Sequence, residues 1–305
     1  MANEITTTGL VANGGMVDLI LSDLVLEKIY DGTDLSSTML RVPWEARGGL
    51  GLSVTLADSP TALTAESSIG AEPQTVPNTA YTTADFSLTP ARYTKAFGLT
   101  DRTLVDNSVI GLETLATNLA QGVGLTLTDL LCAAFAGLGT SVGANTVACS
   151  VDTIYDAAFA LNAALNFGRY SLVLGASQMN DFRSSLRAES GAIQFQDATA
   201  EALASKGPGF QGSWNNIDFW QCDSTPASGA GKAGAMFSFG AFAYTLADPR
   251  VIQSGIDLNN LVVSNEAIII ERARDAALGV TQLVAHMYPA VAEVEDARGV
   301  QVLAS

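Results

Sequence analysis

VIGLETLATNLAQGVGLTLTDLLCAAFAGL, Val109 to Leu138, is the stretch whose reading decides the fold. Its apolar residues Leu112, Leu115, Leu119, Val123, Leu127, Leu130, Ala134 and Leu138 recur every three or four positions, the spacing of one helix face. Asn107 and Ser108 stand in front as N-cap candidates, because a short side-chain oxygen accepts from the free N–H groups of a first turn. Gly137 and Gly139 close the run. At 1.5 Å per residue such a helix extends roughly 45 Å, more than most helices in a compact domain. Gly122 and Gly124 weaken it by up to about 1 kcal/mol each, which points to a bend or a close backbone contact there.

The chain before the helix is extended. Leu50, Leu52, Val54 and Leu56 alternate with Gly51, Ser53 and Thr55, the period of a half-buried strand. Asp58 to Asn78 is rich in Thr, Ser, Ala and Gly, carries Pro60, Pro73 and Pro77, and has too few large apolar groups to build a core. YTTADFSLTPARYTKAFGLT then alternates at Phe86/Leu88 and Tyr93/Lys95/Phe97/Leu99. Two strands and a polar tip make a long hairpin, which is marginal alone in water and is stabilised by lying on something else. The start of the chain reads as an arm rather than a domain, with a short helix over Met16–Tyr30 and extended backbone at Arg41-Val42-Pro43-Trp44.

Beyond the helix the chain is mixed. Asp152 is the expected cap of a helix with Ile154, Ala158, Leu161 and Leu165 on one face. YSLVLG (Tyr170–Gly175) is a strand, and Ser177 is the expected cap of a helix with Met179, Phe182 and Leu186 inward. Helix, strand, helix suggests an α/β layer. A short helix over Asp197–Ser205, strands at Ile217–Cys222 and Ala235–Leu246, and the strand-like runs LVVS, EAIIIERARD, ALGVTQLVAHMY and VQVL complete an α+β chain.

Composition bounds the function. The chain has 305 residues, 48% hydrophobic and only 15% charged, a balance that suits a surface meeting other protein. No uninterrupted apolar run is long enough for a membrane span, and MANEITTTGL lacks the pattern of a secretory signal. Net charge is −16, from 15 Lys+Arg against 31 Asp+Glu, which ill suits gripping phosphates. If such a chain meets DNA, it should contain it rather than grip it. The three cysteines, Cys132, Cys149 and Cys222, have no CxxC spacing and fit buried thiols in a reducing compartment.

Motifs for catalysis are missing. The one histidine, His286, lies in a strand-like run and reads as a residue on a β surface. Gly175-Ala176-Ser177-Gln178-Met179 lacks the second glycine of a nucleophile elbow, and Gly231-Lys232-Ala233 lacks the hydroxyl residue and spacing of a phosphate loop. Glu293, Glu295 and Asp296 read as a solvated acidic run. No cofactor or metal site and no enzyme activity is expected.

Taken in order, these segments resemble the major capsid proteins of tailed bacteriophages, the Hong Kong 97-like family. Thr64-Ala65-Glu66 followed by Ile69-Gly70 and Pro73 is similar to the family's extended loop. Phe86–Asn107 resembles its returning strand and the approach to the spine helix, with Thr100-Asp101-Arg102 in place of Ser-Arg-Glu. Tyr170–Leu174 with Met179, Phe182 and Leu186 resembles a strand and helix of its axial domain. So do Gly212–Ile217, Pro226 and Phe237-Ser238-Phe239-Gly240-Ala241-Phe242.

The resemblance implies an N-terminal arm (1–47), an extended loop (48–99), a peripheral domain around the spine helix (100–148), an axial domain (149–250) and C-terminal strands returning to the peripheral domain (251–305). It implies a non-enzymatic subunit that assembles with itself, as pentamers and hexamers, into the icosahedral head of a tailed phage. The head is built in the bacterial host cytoplasm and encloses double-stranded DNA without sequence-specific binding or any membrane. Portal, scaffolding and decoration proteins are the partners it implies. Some members cross-link through a loop lysine; residues 48–94 contain none, and Lys95 stands at the strand base, so no lysine–asparagine cross-link is expected. The short arm fits either a separate scaffolding protein or an extension already removed.

Contact candidates between subunits are Glu66 and Arg92 on the loop and Arg41, Glu45 and Arg47 at its base, set against the alternative of solvated charges contributing about 0–1 kcal/mol. An encapsulin-type compartment shares the fold, and a small-molecule α/β enzyme built on residues 150–250 is the rival of another class. Gly122 and Gly124 are the expected bend of the spine when the shell changes shape. Replacing both with alanine tests this: assembly and expansion are expected to suffer, and if both are unaltered the glycines have only a packing role.

Overall fold

The computed structural model describes residues 35–44, 52–57, 83–100, 118, 122, 125–164, 168–189, 195–206, 209–248, 252, 261–264, 268–275 and 278–305. The expected helix over Met16–Tyr30, the loop tip and the N-cap candidates Asn107 and Ser108 lie outside them.

The long helix is helical at Asn118 and Gly122 and through residues 125–134 (α1), and it ends in a 3-10 turn, Phe135–Gly137. Leu127, Leu131, Cys132, Phe135 and Leu138 are buried. Leu130 and Ala134, expected inward, are half-buried. Both sets have helical spacing. Burial selects the one that ends on Phe135, whose ring meets Phe237 and Phe242 with centroids 5.9 and 5.7 Å away.

The backbone of the molecule is an eight-stranded sheet in the order β5 (Ser141–Gly143), β17 (Gly299–Ala304), β11 (Gly231–Ser238), β6 (Tyr170–Leu174), β9 (Ile217–Gln221), β8 (Phe210–Trp214) and β7 (Gln196–Asp197), with β10 (Ala227–Ser228) beside β11. Alternation gives it two apolar faces. Val173, Trp220, Ala235 and Phe237 point toward α1. Leu172, Leu174, Phe219, Met236, Val300 and Val302 point the other way, toward α2 (Val151–Ala163) and α3 (Ala176–Ala188). On that second face Phe182 stacks on Phe219 at 4.8 Å. A third helix on this sheet's periphery, α4 (Ala200–Lys206), starts later than the expected Asp197 because Gln196–Asp197 pairs with β8.

Local chemistry explains where elements start and turn. Ser150, not Asp152, caps α2: the Thr153 N–H donates to its Oγ at 3.3 Å, while Asp152 sits in the first turn. There Asp152 opposes the positive end of the helix dipole. Gly175, not Ser177, precedes α3, and its N–H donates to the Gln178 side chain at 3.0 Å. The β8–β9 turn is Asn215-Asn216, both at positive φ (48° and 63°), the pair of left-handed residues that a tight hairpin turn requires. The expected strand over Ala235–Leu246 is two strands, β11 and β12 (Phe242–Leu246), parted at Gly240 with φ +90°.

The expected hairpin also divides. β2 (Leu52–Ala57) pairs antiparallel with β3 (Thr83–Leu88), and among the described residues this two-stranded unit shares no strand pairing with the larger sheets. After Pro90 the chain changes course. β4 (Tyr93–Thr100) pairs with β15 (Val280–Met287), at the edge of a four-stranded sheet completed by β14 (Ile269–Asp275) and β13 (Leu261–Ser264). A smaller sheet, β1 (Leu40–Arg41), β12 and β16 (Pro289–Glu293), links the two.

The second core rests on Phe182, which is fully buried among Phe195, Trp214 and Phe219. Phe182→Ala is expected to lower stability by about 3–5 kcal/mol in denaturant unfolding, because a ring-sized void cannot collapse against a rigid sheet.

Candidate assembly site

The base of the β2–β3 hairpin is built from small and medium apolar residues. Phe86 and Leu88 are buried against Ala243 and Ala290, with Leu40, Val42 and Ala292 packed around them. The Ala91 N–H donates to the Pro289 carbonyl at 3.2 Å, fixing the corner between β3 and β4.

Beside that corner lies a charged cluster. Arg92 Nη2 donates to His286 Nδ1 at 3.1 Å, and His286 Nε2 faces a Glu271 carboxylate oxygen at 3.6 Å. An acceptor at Nδ1 places the ring proton on Nε2, toward Glu271. His286 is 3% exposed. Burial pushes its pKa down, Arg92 adds to that, and Glu271 opposes it. The expected surface histidine is therefore an enclosed one. Alternation along β15 turns Leu283, Ala285 and Met287 inward and leaves His286 on the opposite face, where Arg92 and Glu271 close over it. With both ring nitrogens engaged, the cluster clamps the start of β4 to β14 and β15 rather than presenting a base to a substrate.

A cleft of about 280 Å³ separates this sheet from the spine, with Tyr93 and Lys95 on one wall and Gly122, Thr126 and Asp129 on the other. Lys95 Nζ lies 5.3 Å from the Phe97 ring centre. A Cβ on Gly122 would meet Lys95 atoms at 3.8 Å, ordinary contact. The Thr126 hydroxyl donates to the Gly122 carbonyl at 2.7 Å, a back-bond that bends helices. Sequence pattern marked Gly122; the hydroxyl four residues on is the partner it did not mark.

Of the other expected contacts, Arg41 is exposed on β1, and Arg92 is held within its own chain by His286. Glu45, Arg47, Glu66 and Gly124 lie outside the described residues. The acidic run near the C-terminal strands is more than a solvated face. Asp296 accepts from the Gly139 N–H at 2.6 Å, just past the spine. Burial pushes the Glu293 carboxyl up, and neighbouring Asp296 adds to it. Among the described residues no group of acidic, histidine and cysteine side chains has the arrangement of a metal site.

No family model matches the sequence, and no curated protein matches it. Solved structures do match. The capsid of Ralstonia phage GP4 aligns over 91% of this chain and 89% of its own at 13% identity, with a TM-score of 0.60. A chain from Mycobacterium phage Che8 aligns over 83% and 84% at 16% identity, with a TM-score of 0.54. The SrpI encapsulin of Synechococcus elongatus PCC 7942 aligns over 88% and 85% at 10% identity, with a TM-score of 0.60.

The chain has the Hong Kong 97-like capsid fold. The identities are low, so the likeness is one of architecture. The mixture of helix and sheet in this capsid fold matches the sequence-based expectation of an α+β chain.

The clamp gives a pH dependence with a defined sign. His286 is depressed when folded, so the unfolded chain binds the extra proton first. Its contribution is complete above the unfolded value of about 6.5 and is lost as pH falls below that toward the folded value. Unfolding midpoints measured from about pH 7 to pH 5 should fall less steeply in His286→Gln than in the unaltered protein.

Proposed function

We propose that this chain is the major capsid subunit of a tailed double-stranded DNA phage, a structural protein that assembles with its own copies into an icosahedral head. The observation that carries the reading is the match to phage capsids over most of both chains, combined with a hairpin whose base is packed on the body through Phe86 and Leu88. A two-stranded unit is marginal alone and needs a further surface to lie on, and a neighbouring copy of the chain supplies one. Low charge and high apolar content fit a subunit with many protein contacts. A net charge of −16 fits an inner wall that contains DNA without gripping it.

In this reading residues 1–47 are an arm, 48–99 the loop that reaches a neighbour, 100–148 with 251–305 the peripheral domain, and 149–250 the axial domain around fivefold and sixfold axes, except that β5 and β17 belong with the axial sheet and β4 with the sheet of β13 to β15. Arg41, Glu45, Arg47 and Glu66 are contact candidates between subunits. Arg92 instead positions the loop through His286. The role is structural rather than enzymatic, the location is the virion, and portal and scaffolding proteins complete the assembly.

An encapsulin-type compartment is the second reading, favoured by the likeness to the SrpI shell. Expression alone and with a scaffolding protein, followed by light scattering and electron microscopy, should give closed shells. Nucleic acid extracted from purified particles supports the phage head, and protein cargo supports the compartment. A chain that stays monomeric at high concentration with its assembly partners present is not a shell subunit.

A further inference from the structure

Cys132 and Cys222 stand 90 positions apart, and nothing in their spacing pairs them. The fold does. Cys132 lies on the buried face of α1, and Cys222 directly succeeds β9. Their sulfurs are 3.7 Å apart, with the Cys132 thiol donating to Cys222, and both are free. A disulfide bond is about 2.05 Å long, so closing the gap takes an approach of about 1.7 Å, the scale of side-chain adjustment. The two thiols belong to the same core as Leu131, Phe135 and Trp220, where α1 rests on the sheet.

We propose that this pair is an oxidisable dithiol, converted by a low-molecular-weight disulfide into a Cys132–Cys222 cross-link between the spine helix and the eight-stranded sheet. Cys222 is the attacking group. It keeps 6% exposure while Cys132 has none. The hydrogen bond from Cys132 pulls the Cys222 thiol down to about 7 against the effect of burial, with help from Ser224. The Cys222 thiolate attacks one sulfur of the reagent, RSSR, and the other leaves as RSH after taking up a proton. Cys132 then attacks Cys222 Sγ in the mixed disulfide, its proton leaving with the second RSH. Two protein thiols are oxidised and one RSSR is reduced to two RSH.

Cys149 is the internal control. It lies in the other core, 1% exposed, and burial pushes its thiol up to about 12. The cross-link would close a loop of 90 positions and so restrict the unfolded chain. If the chain is a shell subunit, one that leaves a reducing cytoplasm for oxidising surroundings acquires the bond after assembly. The thiol chemistry itself does not depend on that reading.

The test treats the full-length protein in native buffer with oxidised glutathione, alkylates remaining thiols in denaturant and maps the peptides by mass. The expected result is one linked pair, Cys132 with Cys222, lighter by two hydrogens, with Cys149 alkylated. The melting temperature should rise by several degrees and return on reduction with dithiothreitol. Cys149→Ser should behave identically, and Cys222→Ser should lose both the link and the shift. Recovery of Cys132 and Cys222 as alkylated thiols, arrest at a glutathione adduct of Cys222, or a link to Cys149 would each overturn the proposal. Particle formation is scored separately by light scattering, so failure of the shell reading leaves this result interpretable.

Discussion

A sheet with two apolar faces cannot be left half covered. In this chain the eight-stranded sheet presents Val173, Trp220 and Phe237 on one side and Leu172, Leu174, Phe219 and Met236 on the other. Every other placement answers to that. α2 and α3 cover one face, and the end of the long helix covers the other through Leu131, Phe135 and Leu138. Phe237 and Phe242 meet edge to face at 5.1 Å and receive Phe135 between them, so the helix end, β11 and β12 share one aromatic joint. Rings in this geometry add about 0.5–1.5 kcal/mol per pair beyond their buried area. The spine is thereby seated on the sheet at one end while the cleft beside Gly122 separates it from the β4 sheet.

Strong periodicity was legible from residues alone. The helix over 109–138, the strand Tyr170–Leu174 and the stripe Met179/Phe182 come from spacing, and the described parts agree. The finer choices were not legible. Leu130 and Leu131 both continue a helical stripe from Leu127, and only the position of Phe237 and Phe242 decides between them. Asp152 and Ser150 are both good caps, and the one that reaches the Thr153 N–H wins. Ser177 yields to Gly175 because Gln178 folds back onto the preceding N–H. Such contests are settled by distances that no one-dimensional pattern holds.

The polar clusters were hidden for a different reason. Arg92 and His286 are 194 positions apart, and Arg169 with Lys206 converges from both directions on the buried Asp218, at 2.6 and 2.8 Å. Each partner alone looks like an ordinary surface charge. Their meaning comes from strand register, since β4 runs antiparallel to β15 with Thr94 opposite His286. A residue that strand alternation assigns to the outside becomes enclosed when a neighbouring segment brings a guanidinium over it.

Strand order has a consequence for synthesis. β17 lies inside the large sheet, between β5 and β11, yet comes after every other strand in sequence. Val300 and Val302 complete the core under α2, and Gln301 N–H bonds to the Thr140 carbonyl at 2.8 Å. A ribosome delivers this segment after all its neighbours, so the sheet stays unsealed while the rest of the chain emerges. Docking of the last strand is therefore a late step of folding. The core under α2 is complete only once Val300 and Val302 are in place.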